Sequence, residues 1–471
     1  MDRYRHFLEA VDGASASESG ASRVPLGIDS PRPPEALPRR RLYLRVRTRF
    51  LLSILIGAAW AAFSTWISIP WISDLGNAIT LPVAAAVIAG IAIIPGYLNV
   101  QLAMSLLLDR PPPLQLEREQ PRLTLVIAAF NEEEVIAETL EYALQQDYRG
   151  EYDIVVADDG SSDGTREIVR CIAASNDRVC LLELEHGGKS HALNAALEAT
   201  DTPLVATIDA DTLLMPDALK RLVSRLLASP EDTVAVAGTV LVRNSRANIL
   251  TRIQEWDYFL GIASVKRQQA FLQGTLVAQG AFSVYDASSL RKAGGWPDRI
   301  GEDIVLTWAM IRGGGRTSFE PTAVAFTEVP VKLGRFVRQR QRWARGMIEG
   351  LRDHGIGLLA QRRFHVHSVG INYLFPYLDF AYTCGFLPGL ALALAGNYAV
   401  VGPMTLAVLP LSTGVASIMF ARQRRAFREV GLHVRRNRLG FLCYLLLYPL
   451  LLAPVSFFGY LKELVRAKRV W

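Results

Sequence analysis

Cysteine is scarce in this sequence, and the few cysteines present form no recognisable pair. The chain has four, at positions 171, 180, 384 and 443, without a C-x-x-C pair or a histidine at ligand spacing. This pattern indicates neither a disulfide framework nor a zinc site. It is typical of a protein whose thiols face a reducing compartment.

Charge is scarce as well. Asp, Glu, Lys and Arg make up 20% of the 471 residues, and the mean hydropathy is above zero. A wholly soluble or disordered chain would carry more charge. The balance is basic, with 51 Lys and Arg against 45 Asp and Glu, but the arginine clusters border apolar runs. They therefore indicate contact with anionic lipid headgroups and not with nucleic acid.

The sequence also lacks an apolar run near its start, so no secretory signal peptide is expected. Residues 1–40 are rich in Ser, Gly, Ala and Pro, a composition that predicts a disordered cytosolic tail. The length allows about three units at roughly 150 residues each.

Further along, long apolar runs are abundant. Five of them approach the ~20 residues that cross a bilayer core; they cover residues 50–71, 79–108, 369–394, 400–420 and 439–460. We predict two transmembrane helices within residues 41–108, a globular domain over residues 109–364, and about three transmembrane helices within residues 365–471. In the globular domain, predicted strands and helices alternate in the way that builds a parallel sheet. Interfacial amphipathic helices are expected near residues 333–364, and a basic cytosolic loop near residues 421–440.

The distribution of basic residues predicts the orientation. The connection between the first two runs carries no Lys or Arg, whereas the flanks do, so the N-terminus and the globular domain are expected in the cytoplasm. Five full spans would place the basic C-terminal residues on the other side, against the same rule. One of the C-terminal runs is therefore expected to be miscounted, re-entrant or interfacial.

Acidic residues follow two predicted strands of the globular domain. RLTLVIAAF is typical of a buried strand and ends at Asn131 and Glu132, and YDIVVAD ends at Asp158 and Asp159. Ligands of an open parallel sheet bind outside the carboxyl ends of its strands, so these residues are expected to face one crevice. The alternative for the aspartate pair is turn formation. Asp163 is expected to cap the following helix.

A fourth predicted strand, PLVATI, runs into Asp209, Ala210 and Asp211. Side chains two apart on an extended backbone project to the same side, so the two carboxylates can share one Mg²⁺ or Mn²⁺. Such an ion commonly bridges carboxylates to substrate phosphates.

Upstream, HGGK places Lys189 at the start of a helix, where its ammonium can meet a diphosphate. The spacing is not that of a P-loop, and the alternative is a lysine that is only solvated.

Two later segments carry further candidates. GEDIVLTWAM predicts a helix beginning at Glu302 and Asp303. Carboxylates in a first helical turn ordinarily only stabilise the helix dipole; the alternative is that Asp303 faces a sugar hydroxyl and acts as a general base. RQRQRWARGM predicts a basic helix with Gln339, Arg342 and Trp343 on one face. The tryptophan could anchor at the membrane interface, or its ring could stack on a sugar while the arginine binds phosphate.

Taken in order, these motifs resemble those of the membrane-bound, processive family 2 glycosyltransferases, which include cellulose, chitin, hyaluronan and poly-N-acetylglucosamine synthases. The resemblance covers about residues 123–350, and residues 253–296 are most similar to bacterial poly-β-1,6-N-acetylglucosamine synthases. This sequence has GED at Gly301 where those enzymes tend to have TED, and a longer polar N-terminal tail. The departures bear on the identity of the sugar more than on the reaction class.

The resemblance implies an α/β fold: a GT-A nucleotide-sugar-binding domain with a mostly parallel sheet, inserted between N-terminal and C-terminal transmembrane helices. It implies an inverting reaction in which an acceptor hydroxyl displaces UDP. Asp209 and Asp211 would hold Mg²⁺ or Mn²⁺, and Asp303 would be the base, next to Glu302 in the catalytic triplet. The substrate-binding residues would be Asn131, Glu132, Asp158, Asp159, Lys189, Gln339, Arg342 and Trp343.

The resemblance further implies a UDP-sugar donor, with UDP-N-acetylglucosamine the first choice, a growing exopolysaccharide of the kind found in biofilms as acceptor, and contact with membrane lipid. A small membrane accessory subunit is a further candidate partner, and no nucleic acid is expected. The location implied is the bacterial inner membrane, with a multi-pass chain and a cytoplasmic catalytic domain.

Other readings of the sequence stay open. A β-glucan, chitin-like or hyaluronan-like synthase would use a different UDP-sugar with the same motifs. A polyprenyl-phosphate glycosyltransferase would share the D-x-D but would not need Q-x-x-R-W. An inactive export component would not need to keep Asp209, Asp211, Asp303 and Trp343.

Overall fold

A computed structural model of the chain describes residues 45–402 and 408–467. The predicted tail over residues 1–40 therefore lies outside the described residues. Within them, a sheet of eight strands forms the centre of the globular domain. The strands are β1 (Leu123–Ala129), β2 (Tyr152–Asp158), β3 (Val179–Glu183), β4 (Leu204–Asp209), β5 (Leu213–Leu214), β6 (Thr233–Val242), β7 (Phe282–Asp286) and β8 (Arg316–Thr327).

The sheet has a parallel half and a mixed half. Its strand order is β3-β2-β1-β4-β7-β6-β8-β5. Strand β1 is parallel to β2 and β4, and β2 is parallel to β3. Strand β7 is antiparallel to both β4 and β6, while β6 and β8 are parallel. The alternating strands and helices of the first half, predicted from the sequence, thus give a parallel arrangement, and the reversal begins at β7.

Helices cover both faces of the sheet because the central strands are apolar on both sides. Along β1, Leu125 and Ile127 enter one core with Leu140, whereas Val126 enters the other with Ala196. All five side chains are buried, as expected for a strand of a parallel sheet covered on both faces. The helices of the domain are α3 (Ile136–Leu144), α4 (Thr165–Ser175), α5 (Lys189–Glu198), α6 (Ala218–Leu227), α7 (Ile249–Trp256), α8 (Ala263–Phe271), α9 (Ala287–Lys292), α10 (Glu302–Arg312), α11 (Leu333–Gly350) and α12 (Ile356–Leu359).

Long apolar helices precede and follow the domain. Among the described residues, α1 (Val46–Ala78), α2 (Leu81–Leu108) and α13 (His365–Leu394) are long and apolar enough to cross a membrane. Two shorter helices, α15 (Arg438–Leu446) and α16 (Tyr448–Leu464), meet at an angle of 51° and would make a fourth span if they act together. Pro449 follows the bend and cannot donate the backbone hydrogen bond of a continuing helix.

The predicted run near residues 400–420 falls partly on residues outside the described ranges. The described remainder belongs to α14 (Val408–Glu429), whose last turns carry the first arginines of the predicted basic loop. The number of spans and the side of the C-terminus stay predictions.

The globular domain is tied to the flanking helices by ion pairs, one of them buried. Arg345 of α11 lies 3.0 Å from Glu463 of α16, and Arg267 of α8 lies 2.7 Å from Asp109 at the end of α2. Gly459 of α16 also packs directly on α11, because a Cβ there would lie 3.0 Å from the carbonyl oxygen of Gln341. The position of α11 is therefore set by a helix that follows it by about a hundred residues along the chain.

Candidate active site

The carboxyl ends of three neighbouring strands form the floor of the site. Asp158 of β2 is in register with Ala129 of β1, and Asp209 of β4 is in register with Ala128. The predicted strand-end acids are thereby brought to one edge of the sheet, as the parallel arrangement requires.

Asn131 joins the loop after β1 to the loop after β2. It adopts a left-handed backbone conformation with φ of 57°, which asparagine tolerates better than most residues. Its N–H donates to Ser161 Oγ at 2.9 Å, and its Oδ1 accepts from the N–H of Ser162 at 2.8 Å. The N–H of Glu132 donates to Thr165 Oγ1 at 2.8 Å. The two predicted donor-binding loops thus hold each other in place.

Asp158 and Asp159 are buried and organise the turns around them. Asp158 Oδ2 accepts from Arg166 Nε at 2.5 Å and from the N–H of Ser161 at 3.1 Å. Its Oδ1 is buried and accepts no hydrogen bond from any described residue. The predicted alternative of turn formation is therefore realised for Asp158, and a second oxygen is left for a ligand.

Asp159 holds the Gly-Gly turn. Its carboxylate accepts from the N–H groups of Gly187 and Gly188, each at 2.9 Å, and lies 2.9 Å from His186 Nδ1. Gly188 has φ of 92°, a conformation that disfavours residues with a Cβ. Asp163 was predicted to cap α4, but the N-cap residue is Gly164; Asp163 lies one residue earlier, and its carboxylate accepts from the N–H of Thr165 at 3.1 Å.

Lys189 lies between the D-x-D and the GED segments. Its ammonium is 2.5 Å from Asp209 Oδ1 and 3.8 Å from Glu302 Oε1. Burial disfavours the charged lysine, but Asp209 and Glu302 outweigh that effect and raise its pKa. Lys189 is therefore a fixed cation at the start of α5. In this structure it faces carboxylates.

Asp211 is held from the far edge of the sheet. Strand β5 pairs with β8 so that Leu213 is opposite Phe326, which brings Thr327 to Asp211. The threonine hydroxyl lies 3.1 Å from both carboxylate oxygens. Burial and the neighbouring Asp209 raise the pKa of Asp211 to about 6.

The site as a whole holds more negative charge than it neutralises. Burial, followed by Asp211, Asp209 and Asp163, raises the pKa of Glu132 to about 7. Burial and Asp303 likewise raise the pKa of Glu302 to about 7, against the opposing effects of Lys189 and Arg342. These shifts have one physical cause, which is carboxylates crowded in a poorly solvated crevice.

This donor set fits a hard divalent cation. Asp209 and Asp211 supply carboxylate oxygens in a region of excess negative charge. No group of three or more His, Cys, Asp or Glu residues converges on one point in the described part of the chain. Mg²⁺ is commonly held by one or two carboxylates, with water and substrate phosphates completing its shell. The two aspartates are consistent with that mode.

The GED segment is fixed by contact with α11. A Cβ at Gly301 would lie 2.5 Å from the Cα of Gly346, so the two backbones touch and no side chain fits between them. The N–H of Gly301 donates to Glu349 at 3.0 Å. Glycine in place of the threonine of TED is thus a packing requirement of this chain. The prediction that α10 begins at Glu302 and Asp303 is correct.

The Q-x-x-R-W residues lie on α11 as predicted. Arg342 is exposed, and its charge lowers the pKa of both Lys189 and Glu302, so it lies within electrostatic reach of the carboxylate cluster. Gln339 Oε1 is buried and has no partner among the described residues. Trp343 is half-buried. The structure therefore groups Arg342 with the strand-end acids and sets Gln339 and Trp343 on the adjoining turns of the same helix.

Several residues at the site were not found from the sequence. Thr327 binds Asp211, and a Cβ at Gly280 would lie 3.0 Å from Lys189 Nζ. The buried Lys266 hydrogen-bonds to the carbonyl of Val277 at 3.0 Å and to the side chain of Gln279. No local pattern marks these residues, because each reaches the site through a long-range contact.

Comparison with known proteins agrees with this geometry. Residues 124–294 match the model of the family described as Glycosyl transferase family 2. The chain is 31% identical over 261 residues to the poly-beta-1,6-N-acetyl-D-glucosamine synthase of Staphylococcus aureus, covering 55% of this chain and 62% of that protein. It is 32% identical over 226 residues to the Staphylococcus epidermidis protein of the same name, covering 48% and 54%. The matched region thus spans less than two thirds of these relatives.

One solved structure shows the same fold. It is a mannosyltransferase from Pyrobaculum calidifontis in complex with GDP-Man and Mn²⁺, with a TM-score of 0.53 and 21% sequence identity. The superposition covers 90% of this chain and all of that one.

The sheet and its acidic edge show a GT-A-like fold with a mostly parallel, mixed sheet, set between apolar helices consistent with membrane spans. The predicted fold class is confirmed. Residues 124–294 are similar to Glycosyl transferase family 2, and the predicted resemblance to poly-β-1,6-N-acetylglucosamine synthases is confirmed by the sequence identities.

Proposed function

We propose that the protein is a processive, inverting glycosyltransferase that extends a polysaccharide from a UDP-sugar and passes the product across the membrane. The observation that supports this most directly is the convergence of the D-x-D, GED and Q-x-x-R-W segments with Lys189 at one sheet edge. UDP-N-acetylglucosamine is the donor proposed, because the curated relatives are poly-β-1,6-N-acetylglucosamine synthases. The packing of Gly301 on Gly346 accounts for the GED departure without invoking a different sugar.

Asp209 and Asp211 would hold Mg²⁺ or Mn²⁺. The ion would neutralise the charge that builds on the diphosphate as it departs. Lys189 and Arg342 would add fixed positive charge for the same phosphates. The predicted metal dependence is in keeping with the excess negative charge of the site.

Asp303 would accept the proton of the acceptor hydroxyl. The acceptor oxygen forms a bond to the anomeric carbon of the donor, the bond from that carbon to the UDP oxygen breaks, and the proton moves to the Asp303 carboxylate. Glu302, next to it and 3.8 Å from Lys189, links this base to the phosphate side. Asn131, Glu132, Asp158 and Asp159 would form the nucleoside end of the site.

Gln339 and Trp343 would face the acceptor. An indole ring can stack on the apolar face of a sugar, and the unpartnered Gln339 Oε1 can accept a hydrogen bond from a sugar hydroxyl. The flanking apolar helices would carry the product across the bacterial inner membrane from a cytoplasmic catalytic domain. Membrane lipid and a small accessory subunit are the proposed further partners.

The test is a donor panel on the full chain purified in detergent. UDP release is measured with Mn²⁺ or Mg²⁺ from UDP-N-acetylglucosamine, UDP-glucose, UDP-glucuronate and UDP-galactose, and the product is digested with linkage-specific glycosidases. We expect release from UDP-N-acetylglucosamine, a product cut by a β-1,6-specific hydrolase, and loss of activity on chelation. Release from UDP-glucose alone would indicate a β-glucan synthase. No release from any donor would contradict the proposal.

A separate variant tests the assignment of Asp303 as the general base. Asp303→Asn should keep UDP binding, measured by calorimetry, and lose transfer by a factor of about 10² to 10⁴. Asp177→Asn is the matched control, since Asp177 is exposed in the turn before β3. Equal turnover in Asp303→Asn and the control would reject Asp303 as the base.

A further inference from the structure

Arg340 lies inside the Q-x-x-R-W segment but on a different side of α11 from Arg342. Arg342 is exposed, whereas Arg340 is only 4% exposed. Its guanidinium carbon lies 4.1 Å from the centre of the Trp343 ring. Phe336 and Tyr258 lie around the same guanidinium at 5.2 and 5.8 Å. One face of the Trp343 indole is therefore covered by a buried cation.

Asp257 holds this cation from outside the helix. Arg340 Nη2 lies 2.9 Å from Asp257 Oδ2, and the same oxygen accepts from the Tyr448 hydroxyl at 2.7 Å. The arginine contact is a charge pair without an aligned hydrogen bond, since Nη2 and Nε of Arg340 have no hydrogen-bond partner among the described residues. Charge attraction and ring stacking thus hold the guanidinium in place.

We propose that Arg340 is a positioning residue that fixes the Trp343 ring, so that the opposite ring face is presented to the acceptor sugar. This inference rests on the proposed function. With one face occupied by the guanidinium, only the other remains for stacking on a ligand. A buried ion pair is costly to desolvate and is a weak source of stability. The location of the Arg340–Asp257 pair beneath the half-buried Trp343 is therefore better explained by its effect on the orientation of the indole ring.

Arginine suits this position better than lysine. A planar guanidinium can lie flat on an indole, whereas a lysine ammonium keeps the charge but loses the stacking surface. Arg340→Lys therefore retains the attraction to Asp257 and removes the flat contact with Trp343. Arg225→Lys is the matched control: Arg225 is a buried arginine of α6, outside the predicted site, and pairs with Glu320 at 2.7 Å.

The experiment measures two Michaelis constants on the full chain in detergent. The acceptor is a β-1,6-linked N-acetylglucosamine pentasaccharide, or the pentasaccharide matching the donor that the wild type uses. Arg340→Lys should raise the acceptor KM by about tenfold, in line with the loss of a desolvated cation–π contact, and leave the donor KM within about twofold. Arg225→Lys should change neither Michaelis constant. An unchanged acceptor KM, or an equal rise in both constants with a lowered melting temperature, would overturn the inference.

A double-variant cycle shows whether the effect passes through Trp343. In a Trp343→Leu background, Arg340→Lys should produce no further change in pentasaccharide affinity, measured by calorimetry in the presence of UDP. Additive losses would mean that Arg340 acts elsewhere and would overturn the inference. If the wild type transfers no sugar from any donor, the proposed function fails and this inference fails with it. Wild-type transfer with a null result for Arg340→Lys rejects this inference alone.

Discussion

The two sides of the site are built by different means. The proposed donor side consists of loops after β1, β2 and β3 that bind each other through hydrogen bonds between neighbouring loops, such as Asn131 to Ser161 and Asp159 to Gly188. The proposed acceptor side consists of α10 and α11, which are positioned by contacts with elements more distant in the chain, including Gly301 on Gly346 and Arg345 on Glu463. The comparison suggests that nucleotide binding and sugar transfer can be disrupted separately.

Gly301→Thr should have the largest effect, and only on the acceptor side. A side chain at position 301 would displace α11 from the GED segment, and a shift of about 1 Å at reacting groups can cost about a hundredfold in rate. We expect transfer to fall by at least that factor while UDP binding changes little. Gly334→Ala is the control, because nothing lies near a Cβ at that position of the same helix. A parallel loss of UDP affinity would break the separation of the two sides.

Glu463→Gln tests whether the flanking helix supports the acceptor side. It removes the counter-charge of the buried Arg345, and breaking such a pair costs about 3 kcal/mol. A lower melting temperature and reduced transfer are expected, again with UDP binding retained. Glu429→Gln removes an exposed pair with Arg425 at 3.7 Å and should be nearly neutral. If Glu463→Gln melted at the wild-type temperature, α16 would not support α11 through the Arg345–Glu463 pair.

The buried Lys266, on whose charge Asp303 acts, should make stability depend on pH. Burial lowers its pKa to about 7, with Asp303 opposing the shift, whereas an unfolded lysine titrates near 10.4. The unfolded chain therefore binds more protons between these values, and the free energy of unfolding should rise with pH, by about 2 kcal/mol from pH 7 to pH 9. Melting temperatures across that range should rise in the wild type and less steeply in Lys266→Met. Equal slopes would reject the assignment to this lysine.

Gly188→Ala should have the smallest effect and act on the donor side. Gly188 has φ of 92° and ψ of 165°, a conformation essentially confined to glycine that costs a residue with a Cβ roughly 1 to 3 kcal/mol, which predicts about tenfold weaker UDP binding. Gly294→Ala carries the same backbone penalty, with φ of 88° and open space around the Cβ, but lies away from the site. It should lower stability without affecting UDP affinity. Similar UDP affinities in the two variants would show that the Gly-Gly turn is not part of the donor pocket.

The same division explains what the sequence could predict. The strand-end acids were found because a buried strand and the residue that follows it are adjacent in the sequence, and parallel pairing then brings Asp158 and Asp209 together. The start of α10 and the shared helix face of Gln339 and Trp343 are equally local. The α/β class with a mostly parallel sheet followed from the alternation of strands and helices.

The contacts that orient the acceptor side could not be predicted in this way. Thr327 reaches Asp211 from a strand more than a hundred residues further on, and Arg340 pairs with Asp257, which in turn binds Tyr448 of α16. Nothing in the spacing of a single sequence marks such partners. The close approach of Gly301 to Gly346 was equally hidden, because a glycine in a sequence does not reveal whether it serves a turn or a contact.

The close contact between Gly301 and Gly346 also constrains how the sequence can diverge. Neither glycine can be enlarged while the two backbones touch, so the positions cannot change independently by single substitutions. Relatives with threonine at the position of Gly301 must separate the two segments more widely, and other residues along the α11 interface must have changed to allow it. Glycine at position 301 and glycine at position 346 should therefore be kept together, or be replaced together along with the residues that pack around them.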